Sequence, residues 1–256
     1  MSTRALYPEL RKFIDIVDAY LGGQTQAINV FHTSVSTWSE YALYLDCIYR
    51  RIKGDHQKLQ AAYQAIQKAG EGLPNHHALT TEEIAAFQEF ATQQLQVKLD
   101  IESFIIFSDI LLDRLVYFFT YYFRPIGGIQ DRSYHRFITS SRARLAEKSL
   151  TEPCEQLFIA FLEKILPSLE WLQVNLGDYR DDFITHKKRP RALRVLTWQL
   201  DKLPQIQTSN IYPRPDEEPK VSPEIDELNE HIFNLLREVI DFLGANVEHS
   251  IIAQRY

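Results

Sequence analysis

Glycine and cysteine are scarce: nine glycines and two cysteines stand in 256 residues. So little glycine argues against a chain of tight turns and for helices. Cys47 and Cys154 give neither a disulfide framework nor a zinc-ligand spacing, and a reducing cytoplasm is the expected setting. The N-terminus carries Arg4, Glu9, Arg11 and Lys12 with no long apolar run, so no signal peptide is expected. There is no phosphate-binding glycine loop, no Gly-x-Ser-x-Gly, no Glu-x-x-His and no internal repeat. These gaps speak against P-loop, α/β-hydrolase and di-iron bundle chemistry. Positive charge is not in excess either. The net charge is −6, so contact with nucleic acid would have to rest on a local basic patch. The most apolar stretch, 103–123, has Asp109, Asp113 and Arg114 in its middle. Those charges are costly in lipid, so the stretch reads as a core helix and no membrane partner is expected.

What remains is a helical pattern. Apolar residues make up 45% of the chain and charged residues 24%, as in ordinary globular proteins. Pro8 suits a helix start, and Leu10, Phe13, Ile14, Val17 and Leu21 follow at helical spacing before Gly22-Gly23. A second helix is expected over 24–53, with a stripe of Val30, Phe31, Val35, Trp38, Ala42, Leu45 and Tyr49, and a short polar one over 55–68. Thr80-Thr81-Glu82-Glu83 is a capping box that opens a long helix reaching 123. Phe104, Phe107, Leu111, Leu115, Phe118 and Tyr122 form its broad apolar face. A basic helix follows over 133–148. Another starts at Pro153 and meets Pro167, which kinks or breaks it. Leu193, Val195 and Thr197 alternate with other residues, so a small β-hairpin is expected near 193–212. A last helix over 222–253 begins at Ser222-Pro223. The lone His32 beside an apolar stripe reads as structural. His76-His77 in a loop is a weak metal signal.

Residues able to do chemistry crowd into one stretch, 178–191. Arg180 and His186 are the pair that matters. Histidine exchanges a proton near neutral pH, and arginine grips phosphate through a two-pronged fork. Together they suit cleavage of a phosphodiester with no metal and no cofactor. Asp181 follows the arginine, and Lys187, Lys188, Arg189 and Arg191 supply the basic patch. The same residues also suit a plain helix end, where basic side chains in the last turn precede Pro190. On an ideal helix, positions six apart differ by about 240°, so Arg180 and His186 would not share a face. Either the helix ends or bulges between them, or two chains assemble the site. Glu102, Asp109 and Asp113 line one face of the apolar helix and need a partner. One of them binding Arg180 or orienting His186 is one reading. A stripe that faces water is the other.

The arrangement Tyr179-Arg180-Asp181, Phe183-Ile184, His186 resembles the HEPN superfamily, whose motif is an arginine, four to six residues and a histidine. The resemblance covers this segment and the helical setting. It implies an all-α, up-and-down bundle with long helices, a homodimer, and metal-independent RNA cleavage in toxin–antitoxin, antiphage or RNA-processing systems. Arg180, His186 and Asp181 would then be catalytic, with an RNA substrate and an antitoxin or regulatory protein as partners. The expected organisation is a single helical domain over 1–256, with a HEPN-like core at approximately 80–200 and the helix at 222–253 packing on it. A non-catalytic helical interaction or dimerisation module is the alternative.

Overall fold

The computed structural model describes residues 3–72, 78–123, 133–147, 153–177, 192–199, 202–210, 220–221 and 223–249. The fold is an all-α helical bundle with a small sheet. Among the described residues six α-helices carry it: α1 (Thr3–Leu21), α2 (Thr25–Ala69), α3 (Thr81–Tyr122), α4 (Tyr134–Glu147), α5 (Pro153–Leu172) and α6 (Ile225–Ala245). A π-helical turn, Gln173–Gly177, continues α5, and a 3₁₀ turn, Val247–His249, follows α6.

Most helix ends follow local chemistry. Gly22 and Gly23 take φ of 57° and 84° between α1 and α2, a conformation that side chains with a Cβ resist. The capping box opens α3 as expected. Thr80 Oγ1 accepts the Glu83 N–H at 3.2 Å, and Glu83 Oε2 accepts the Thr80 N–H at 2.8 Å.

Three boundaries differ from the pattern. Pro8 lies inside α1, which starts earlier, at Thr3. Pro167 lies inside α5, whose helix continues through it. A mid-helix proline costs about 3 kcal/mol. Burial of Ile165, Leu166, Leu169 and Leu172 around it outweighs that, at about 1.5–3 kcal/mol per side chain. α2 is one 45-residue helix where a break was expected at Gly54. A single glycine costs only about 1 kcal/mol, and buried Ile52, Leu59 and Ala62 carry the helix across it.

The chain divides into two compact units. The first holds Met1–Asp46, Ile106–Tyr179 and Leu228–Tyr256. Its core is aromatic: Phe13, Phe31, Trp38, Phe118 and Tyr122 are fully buried, with the Phe13 and Phe31 rings 5.6 Å apart. Such edge-on pairs add about 1 kcal/mol beyond area burial. A second aromatic cluster joins α3 to α5, where the Phe119 and Phe161 rings stand 4.9 Å apart. α6 closes the unit through a Tyr122 hydroxyl that donates to the Leu243 carbonyl at 3.1 Å. Of the two expected stripes, only Val30 on α2 and Phe107 on α3 are not buried.

The second unit holds Cys47–Ile105 and Arg180–Glu227. The Tyr63 and Phe90 rings link its stretches of α2 and α3 at 6.1 Å. Its antiparallel sheet runs in the order β1 (Ala192–Gln199), β2 (Lys202–Asn210), β3 (Lys220–Val221). The expected hairpin is therefore present, with Leu193 opposite Ser209 and Val195 opposite Gln207. The register slips between Thr197 and Gln199, and Pro204 falls at that slip. A bulge is where a strand tolerates a residue with no N–H to donate. No described helix is long and apolar enough to cross a membrane.

Candidate functional site

Arg180, Asp181, His186, Lys187, Lys188, Arg189 and Arg191 lie outside the described residues, as do His76 and His77. The structure describes the chain up to Gly177 and again from Ala192. Before that gap the described chain ends in α5 and the π-helical turn Gln173–Gly177.

The acids on α3 come first. Glu102 belongs to the second unit and is half-buried. Asp109 and Asp113 belong to the first unit and stand one helical turn apart. Both are directed at the start of α4. Asp113 Oδ1 accepts the Tyr134 N–H at 2.9 Å, which satisfies a helix-start donor and places negative charge at the positive end of the helix. The Asp109 side chain is 1% exposed, and its Oδ1 lies 3.9 Å from His135 Nε2. A buried carboxylate needs such a partner.

His135 passes the connection on to α5. Its Nδ1 meets Gln173 Nε2 at 3.0 Å. With the amide nitrogen donating to Nδ1, the ring proton sits on Nε2, towards Asp109. The separation there is ion-pair distance and too long for a hydrogen bond. Gln173 is the first residue of the π-helical turn. Such turns are rare and concentrate at functional sites. A second tie comes from Asn175, whose Nδ2 donates to the Trp171 carbonyl at 2.9 Å. Trp171 stacks on His231 of α6, with ring centres 3.8 Å apart and planes within 14°. The last regular turn before Asp178 is thus tied to α4 through Gln173 and to α6 through Trp171.

Helix α4 does not present a simple basic face. Arg136 is exposed, but Arg142 Nε pairs with Glu170 Oε1 at 2.6 Å, and Arg144 sits over the Phe158 ring at 5.9 Å. Arg132 and Lys148 lie outside the described residues.

The second unit has its own polar set. Arg51 Nη2 pairs with the buried Asp100 Oδ1 at 2.5 Å, and this bond raises the arginine above its ordinary value. Gln96 donates to the same oxygen at 3.2 Å. His56 is buried, and that burial pushes its imidazole below the usual range. Its Nδ1 has no hydrogen-bond partner, while Nε2 meets Gln60 Nε2 at 3.1 Å. The exposed His32 pairs with Asp18 at 2.9 Å. Among the described residues, no group of three or more His, Cys, Asp or Glu side chains is placed to hold a metal ion.

Sequence reasoning missed His135 and Gln173. It did find the demand they answer, because Asp109 and Asp113 on so apolar a helix required partners. Nothing in the spacing told which residue would arrive. No protein-family model, curated protein or solved structure matches the chain.

Proposed function

We propose that the chain is a HEPN-like, metal-independent endoribonuclease of the toxin or antiphage type, working as a cytoplasmic homodimer under an antitoxin or regulatory protein. The observation that carries this reading is the constellation Arg180-Asp181…His186 with its basic followers. The helical bundle supports it.

In this reading His186 takes the proton of the 2′-hydroxyl. The O2′–P bond forms, the P–O5′ bond breaks, and a proton reaches the departing 5′-oxygen. Arg180 stabilises the charge that develops on the phosphoryl oxygens. Asp181 orients the pair, and Lys187, Lys188, Arg189 and Arg191 hold the RNA backbone. The products are a 2′,3′-cyclic phosphate and a 5′-hydroxyl. The test incubates wild type, His186→Ala and Arg180→Lys with mixed RNA, with and without EDTA. Cleavage by wild type in EDTA and by neither variant is the expected result. Equal cleavage by wild type and His186→Ala sinks the assignment.

A non-catalytic interaction module is the second reading. The apolar stripe that α3 leaves exposed favours it. Absence of cleavage by all three proteins on a broad RNA panel moves the conclusion there.

A further inference from the structure

Large apolar side chains that reach solvent concentrate between Leu79 and Leu99. Ile84 is 43% exposed, Phe87 45%, Leu95 58% and Leu99 49%. With Ala91, also exposed, they recur in steps of three and four, so they form one stripe along α3 about 22 Å long. Another side of the same stretch is already covered, for Val97, Ile101 and Phe104 are fully buried. The helix is therefore apolar on two faces, and only one is covered. A surplus stripe of this kind marks an interaction surface.

We propose that this stripe docks on the same stripe of a second copy of the chain, antiparallel, about a two-fold axis at Ala91. An isologous contact needs a surface that complements itself. This one does. Phe87 and Leu95 stand four residues either side of Ala91, and Ile84 and Leu99 stand seven and eight. An antiparallel copy sets Phe87 against Leu95 of the partner subunit and brings Ile84 level with Lys98 and beside Leu99 of the partner subunit. Alanine at the centre lets two helices approach to roughly 8 Å.

Charge agrees with the pairing. Lys98 is the one charged residue on the line of the stripe between Ile84 and Leu99. In the antiparallel register it meets Ile84 rather than a second lysine. So charge-poor a face is unsuited to a nucleic-acid backbone. The inference does not rest on the nuclease reading, since the stripe is exposed whether or not RNA is cleaved.

The experiment uses the full chain. Light scattering across micromolar concentrations is expected to give twice the chain mass. Phe87→Glu with Leu95→Glu is expected to weaken self-association roughly 100-fold and give the single-chain mass, with an unchanged helical spectrum. Tyr7→Glu, on the exposed side of α1, stays dimeric. A register-specific arm places Ala91→Cys in a Cys47→Ser background, since Cys47 is exposed and Cys154 buried. Oxidation links that variant into a disulfide dimer, while Ala85→Cys does not link. A wild type of single-chain mass overturns the proposal. So does a dimer that survives both glutamates, or one that Ala91→Cys fails to link. Should the double variant lose its fold, the cysteine arm decides alone.

Discussion

His135 Nδ1 and Gln173 Nε2 meet at 3.0 Å, and this contact joins the start of α4 to the π-helical turn that ends α5. It makes a sharp distinction between two substitutions. Asparagine at 135 keeps a polar atom near the Nδ1 position, whereas glutamine keeps one near the Nε2 position. Amide hydrogen exchange over 173–177 should stay near wild type in His135→Asn. In His135→Gln and Gln173→Leu it should accelerate roughly tenfold, the equivalent of one net hydrogen bond. Equal acceleration in both histidine variants would mean that the imidazole merely fills space.

Asp113 reaches across from α3 to the Tyr134 N–H. Asp113→Ala leaves that donor unsatisfied in a half-buried place, which should cost about 1–2 kcal/mol in urea unfolding. Asp113→Asn still offers an accepting oxygen and should lose clearly less. An alanine variant as stable as wild type would remove the cap from the account of α4.

The Arg51–Asp100 pair predicts a non-additive cycle. Asp100 is buried, while the Arg51 side chain is 52% exposed. Removing the arginine strands a carboxylate away from water, at a cost on the order of 2 kcal/mol once the solvent screening of an exposed arginine is allowed for. Arg51→Met combined with Asp100→Leu should recover much of that loss, because no charge is left behind. Denaturation midpoints of the two singles and the double give the coupling directly.

His56 sets a pH dependence. Burial holds its folded-state value below the ordinary ~6.5 of the unfolded chain. Between the two values the unfolded chain binds a proton that the folded chain refuses. Its contribution to stability is therefore complete above about pH 6.5 and is lost as pH falls through the lowered folded value. His56→Gln should flatten the urea midpoint over that window. A variant that declines with acid as steeply as wild type would assign the effect to other groups.

Local rules made much of this fold legible. The capping box at Thr80 and Glu83 and the stripe from Phe31 to Tyr49 needed only spacing and side-chain type. The hairpin beginning at Ala192 showed in its period of two. Gly54, Pro8 and Pro167 misled, because each reports a local preference of at most about 3 kcal/mol that surrounding burial exceeds. The carboxylates on α3 announced a need, but His135 sits 26 residues beyond Asp109 and Gln173 a further 38 beyond His135. Pairings that distant depend on tertiary packing, which no periodicity encodes. The residues of the candidate motif were legible as chemistry alone.

The first unit is drawn from three separated segments, and its last strut, α6, is made after everything else it touches. On a ribosome, Phe13 and Tyr122 emerge long before Phe242 and Leu243 exist to cover that end of the core. The stretch of α2 and α3 over 47–105, by contrast, can find its partner as soon as it is made. Synthesis therefore imposes an order, with a period in which much of the aromatic core is finished but open. Until residue 245 has cleared the exit, that end of the aromatic core lacks the α6 residues that cover it in the finished chain.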